Sequence, residues 1–166
     1  MAHALEMLAA ASLRAGRARE GRQLLSSSLG PVVSSGDTGL LTTALELSAC
    51  IAAELGDGLS AARLASAAEA VRRLGGMPIP EPDAALLERF LAPARATVAP
   101  QAWTGALAAG RALTQEQAVT LLVSTMPSTP PARATYAPDG GQAGTSSRSP
   151  ESATPSRYRL PRSRSL

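Results

Sequence analysis

The 166-residue chain is 45% hydrophobic but only 2% aromatic, so its apolar content is mainly Ala and Leu, a profile that favours helix over sheet. The formal charge of +3 is unevenly placed: residues 1–126 carry ten Arg against eleven acidic groups, and residues 127–166 carry six Arg against Asp139 and Glu151. All sixteen basic residues are Arg, which excludes a Walker-type phosphate lysine, a Schiff-base lysine and a kinase lysine.

A single cysteine, Cys50, excludes an intramolecular disulfide and a Cys-pair zinc site, and His3 is the one imidazole. No metal and no other cofactor is expected. The apolar N-terminal stretch is interrupted by Glu6 and preceded by no basic residue, so it does not read as a signal peptide. No run reaches the ~20 apolar residues of a membrane span. The expected location is the cytoplasm, without membrane association.

In chain order, Leu5, Leu8, Ala9 and Leu13 mark one face of a first helix reaching Ala15, with Gly16 as the left-handed residue after it. A second helix carries Ala18, Gly21, Leu24, Leu25 and Leu29, and Pro31 ends or bends it. Asp37 or Thr38 caps a third helix reaching Leu55, and a Gly56-Asp57-Gly58 turn leads into a fourth, from about Leu59 to Leu74. Its apolar face is Leu64, Ala67, Ala68, Val71 and Leu74.

These four helices carry an internal repeat. Leu5, Glu6, Ala9, Gly16, Leu24 and Ser26 recur 40 residues later as Leu45, Glu46, Ala49, Gly56, Leu64 and Ser66. Both glycines fall where a helix pair should turn, which points to two helical hairpins. Small residues at the expected contacts (Ala9, Gly21, Ala49, Ala61, Ala68) let paired helices approach closely. That spacing resembles a tetratricopeptide (TPR) hairpin without its large aromatic positions and with a longer period.

Residues 75–82, rich in Gly and Pro, form a linker, and Pro82 suits the first position of a fifth helix running to Val98, kinked at Pro93. A short helix from about Pro100 is closed by Gly110, and Thr114-Gln115-Glu116-Gln117 has the form of a capping box opening a last helix that stops near Thr125. The Pro-, Ser- and Arg-rich residues 126–166 are expected to be disordered, having too few large apolar groups to bury. The expected fold is all-α: antiparallel TPR-like hairpins over 1–74, a linker over 75–82, a terminal helical cap over 83–125, and the tail.

From Leu64 to Thr125 the chain resembles the C-terminal end of the TPR-like domain of large bacterial ATPase-type transcriptional regulators, the LuxR-type and AfsR-like proteins. The segment LASAAEAVRRLGGMPIPEPD is similar to that family's Ala-Ala-Glu helix and proline turn, with Ala67, Ala68, Glu69, Pro78 and Pro80 matching. The segment AWTGALAAGRALTQEQAV is similar to its closing helices, with Gly110, Arg111, Ala112 and Leu113 matching the family's GRAL. Trp103 stands where the family has Phe, Leu107 replaces a Trp, and Ala99 and Pro100 replace a Gly-acidic pair. The resemblance implies a sensor-type helical array without the nucleotide-binding and DNA-reading domains. The chain has no Gly-rich phosphate loop, and LTQEQAVTLLVS runs into Met126-Pro127 where a recognition helix would be needed.

No catalytic constellation is found. Glu46 and Glu54 share a helix without a partner base, Cys50 lies among small apolar residues, and Trp103 reads as the anchor of a small core. Glu69, Arg72 and Arg73 stand at i, i+3 and i+4, as a peptide-binding rim or an ion-paired helix surface. The expected function is a non-catalytic scaffold for a protein or peptide partner, with Leu5, Leu8, Glu69, Arg72 and Arg73 as its surface. With few repeats, the first helix should expose Leu5 and Leu8 for self-association. The alternative is nucleic-acid binding through Arg157, Arg159, Arg162 and Arg164.

Overall fold

The structure, a computed structural model, describes residues 1–126. Met126, expected as the first residue of the disordered tail, is buried in the core; residues 127–166 and the polyanion contacts expected at Arg157, Arg159, Arg162 and Arg164 lie outside the described residues.

The helices are α1 (Ala2–Arg14), α2 (Ala18–Ser35), α3 (Thr38–Glu54), α4 (Gly58–Leu74), α5 (Glu81–Ala96), α6 (Pro100–Arg111) and α7 (Gln115–Thr125). The described residues contain no strand, and the fold is all-α. Their boundaries follow local chemistry. Asp37 accepts hydrogen bonds from the Gly39 and Leu40 amides at 2.7 and 3.1 Å, and Asp57 accepts from Ser60. At α7, Thr114 and Gln117 form the full capping box.

The repeat is also written in the turns. Gly16, Gly36, Gly56 and Gly76 all have positive φ, 73°, 64°, 86° and 63°. One left-handed glycine therefore follows each of the first four helices at a spacing of 20 residues. The turn after α1 closes with Arg17 N–H donating to the Ser12 carbonyl at 2.8 Å, and the turn after α3 repeats this between Asp57 and Ala52 at 2.8 Å. Gly36 and Gly76, like Ala4 and Ala44, extend the identities at an offset of 40.

α1 pairs with α2, and α3 with α4. The first hairpin leans on α3, and α5, α6 and α7 fold back over α3 and α4. One core runs through this arrangement, from Leu13, Leu25 and Val32 through Leu45, Ile51, Leu64 and Val71 to Leu122 and Met126. A satellite cluster joins Trp103, 6% exposed, to Ala62 and Ala94. The small residues Ala9, Ala49, Ala61 and Ala68 are fully buried, and a Cβ on Gly21 would lie 3.1 Å from the Ala9 carbonyl oxygen.

Three local expectations change. α2 does not end or break at Pro31 but continues to Ser35, because the ring lies on the solvent side while Leu29 and Val32 anchor both flanks. The buried face of α1 is Ala2, Glu6, Ala9, Ala10 and Leu13, leaving Leu8 54% exposed. The close approach of α2 at Gly21 selects the alanine side of the helix. Gly110 does not close α6; it sits inside α6 at the crossing with α4, where a Cβ would collide with Ser66 Oγ and the Arg63 carbonyl.

That crossing makes a contrast between two glycines of one helix. Gly110→Ala should lower stability by ~3 kcal/mol, the upper end of overpacking costs. Gly105→Ala, with nothing within 4 Å of its Cβ, should be neutral or raise stability by up to ~1 kcal/mol. Urea denaturation of the two variants checks this, and equal effects would contradict the tight crossing.

Candidate interaction surfaces

Two surfaces stand out. The first is a groove of about 320 Å³ between α4, α5 and α6, floored by Ile79, Leu87, Leu91 and Leu107. The spacing that brings Leu87 and Leu91 to one side of α5 is i, i+4, and α5 itself buries only Ala94 fully. α5 thus rests on the array by part of its apolar stripe and leaves the remainder to the groove.

Two ion pairs flank the groove, and neither is the one that spacing along α4 suggested. Arg72 reaches across to α3, its Nη2 donating to Glu46 Oε1 and Oε2 at 2.7 and 2.8 Å and its Nε to Oε1 at 3.0 Å. Arg72 Nη1 also donates to the Pro78 carbonyl at 3.3 Å, fastening the linker. Glu69 accepts from Arg111 Nε of α6 at 3.1 Å, and Arg73 is exposed. Both pairs join elements rather than decorate one helix. Burial pushes the Glu46 carboxyl above its ordinary range; the hydrogen bonds and charge of Arg72 oppose that shift and Asp83 adds to it.

The second surface is the outer side of α1, seen by comparing equivalent positions. Ala44, Leu47, Ser48 and Ile51 of α3 are buried, at 0%, 7%, 0% and 1% exposure. Forty residues earlier, Ala4, Met7, Leu8 and Ala11 of α1 are all exposed. α3 packs against α1 and α2; among the described residues nothing covers the side of α1 that carries Ala4, Met7, Leu8 and Ala11. Of the residues expected at this surface, Leu8 lies on it, whereas Leu5 is half-buried.

Beneath that surface lies a residue that the sequence reading passed over. Glu6 is 1% exposed, and neither carboxylate oxygen has a hydrogen-bond partner among the described residues. Burial, and then the charge of Asp37, push its pKa up to about 7. A signal was present: Glu6 repeats Glu46, but position 32, the equivalent of Arg72, is Val.

Cys50 is 3% exposed, and burial, with the Glu46 charge, pushes its thiol up to about 12, so it is not an available thiolate at neutral pH. Among the described residues no three His, Cys, Asp or Glu side chains are grouped to hold a metal ion, and no helix is long and apolar enough to cross a membrane.

The two ion pairs should differ in weight. Arg72→Met strands Glu46 at 15% exposure and should cost ~2–4 kcal/mol at pH 7, because the carboxylate left behind is poorly solvated. Arg111→Ala removes a pair whose members are about half exposed and should cost under ~1 kcal/mol. Chemical denaturation separates the two, and a large part of the Arg72→Met loss should return in the double variant with Glu46→Gln.

Comparison of the chain with family models, with curated proteins and with solved structures finds no match.

Proposed function

We propose that this chain is a non-catalytic protein–protein interaction scaffold whose outer α1 face receives a helical partner, including a second copy of itself. The observation that carries the reading is the mismatch between equivalent positions. Met7 and Leu8 are 55% and 54% exposed where Leu47 and Ser48 are 7% and 0% exposed under the preceding hairpin. In a stacked array each hairpin is covered by its neighbour, and an apolar side left uncovered is available to a partner.

The same reading covers the groove at the other end of the array, where an apolar floor between flanking ion pairs suits an amphipathic peptide segment. The resemblance of residues 64–125 to the TPR-like part of ATPase-type and LuxR-type regulators supports a role in signal-responsive transcriptional control. In such a setting the helical array recognises partners and other domains perform nucleotide and DNA chemistry. A cytoplasmic location belongs to that proposal.

Self-association provides the test. The sedimentation-average mass of the chain should rise with concentration in the micromolar-to-millimolar range, since one 13-residue helix offers much less than the ~800 Å² per partner of a standard interface. Leu8→Glu, at a site already exposed, should leave helicity intact while returning the protein to a monomer whose melt no longer depends on concentration. A strict monomer at all concentrations, showing the same concentration-independent melt as Leu8→Glu, would remove α1 as a self-docking surface.

A further inference from the structure

We propose that Glu6 is a proton-operated latch: α1 stays docked on α2 and α3 while the Glu6 carboxyl keeps its proton, and loss of that proton releases α1. Three structural facts support this. Glu6 is enclosed at the contact of α1 with its neighbours, at 1% exposure. Neither of its oxygens receives a hydrogen bond among the described residues. And the second hairpin shows what an ionised carboxylate at this register position requires: Glu46 is gripped by three hydrogen bonds from Arg72 of its own hairpin.

The first hairpin has nothing equivalent. Position 32 is Val, 1% exposed, and residues 25–35 of α2 carry no charged side chain. On α3 the charged groups are acidic: Asp37 at its N-cap acts on Glu6 as a like charge, Glu46 is already paired, and Glu54 lies at the far end. On α1, His3 Nδ1 is 4.0 Å from Glu6 Oε2, beyond hydrogen-bonding distance, and the ring is 74% exposed. A carboxylate here would be desolvated and without a hydrogen bond, its one nearby cation being the exposed His3 ring when that ring is protonated, whereas a neutral carboxyl is tolerated.

The direction of the pH effect follows. The folded-state pKa of about 7 lies above the ordinary value of 4.5, so the docked state binds the proton more tightly than the released one. The stability that this proton confers is present below about pH 4.5 and is lost as pH rises through about 7. Between pH 5 and pH 8 the docked-to-released ratio of α1 should fall on the order of a hundredfold. Since α1 carries Met7 and Leu8, alkaline release would also withdraw the docking surface. That last link rests on the scaffold reading above; the latch itself does not.

Amide hydrogen exchange across residues 2–14 of the full chain, corrected for the intrinsic pH dependence of exchange, reads the latch directly. Protection should fall between pH 5 and pH 8 in the native sequence and stay level in Glu6→Gln. Val32→Arg, which restores the partner seen at position 72, should also level it, with Val32→Met as the control for bulk. His3→Gln should leave the pH dependence as it is. A pH-dependent loss of α1 protection that persists in Glu6→Gln, or that vanishes in His3→Gln, would overturn the proposal, as would a carbon-13 titration placing the Glu6 carboxyl near 4.5. Leu8→Glu keeps the two readings apart: it should abolish self-association while leaving the pH dependence of α1 exchange unchanged.

Discussion

The fold depends on how closely its helices approach. With 2% aromatic residues the chain cannot fill wide interhelical spaces with rings, so the helices must come together over small side chains and backbone. Gly21 against the Ala9 carbonyl does this for the first hairpin, and Gly110 against Ser66 and Arg63 does it between α4 and α6. At such distances dispersion between backbone atoms replaces the contacts that larger side chains make elsewhere. The same closeness explains why the buried side of α1 is its alanine side and why Leu8 faces out.

A chain assembled in this way puts its polar groups under strict conditions. Wherever a charged side chain enters a narrow contact, it must find a partner or lose its charge. Glu46 and Glu6 show the two outcomes at one register position. The first meets Arg72, which also holds the Pro78 carbonyl and so ties the linker to the array. The second has Val at the matching place, and burial, with the charge of Asp37, pushes its pKa up to about 7. Repetition supplied the same backbone twice, and a single difference in the paired helix separates a structural ion pair from a titrating group.

Much of the helical framework was legible in the sequence, for identifiable reasons. Asp37, Asp57 and the Thr114–Gln117 box act through bonds spanning two or three residues, so local spacing reveals them. Trp103 and Cys50 were placed correctly because apolar neighbours determine their burial. The failures concern contacts between elements. Leu8 is exposed as expected, but it shares no face with Ala9 and Leu13, and only the nearness of α2 shows that the buried face of α1 runs through Ala2, Glu6 and Ala9 instead. The i, i+3 spacing from Glu69 to Arg72 suggested a bond within α4, whereas both side chains reach other helices, 42 and 26 residues away along the chain. Pro31 was expected to end or bend α2; its ring lies on the solvent side, and α2 does not end there but continues to Ser35.

The left-handed glycines at 16, 36, 56 and 76 give the first half of the chain a constant module length. After Gly16, each helix and its turn occupy 20 residues (17–36, 37–56 and 57–76), so a block of 40 begins and ends at the same point of the backbone cycle. The backbone phase at the end of the 37–76 segment therefore matches the phase at its beginning, as tandem duplication requires. Growth by tandem duplication needs no compensating change in the joints, only a sequence suited to being covered on both sides. The exposed Met7 and Leu8 occupy positions where an additional block would impose that second condition.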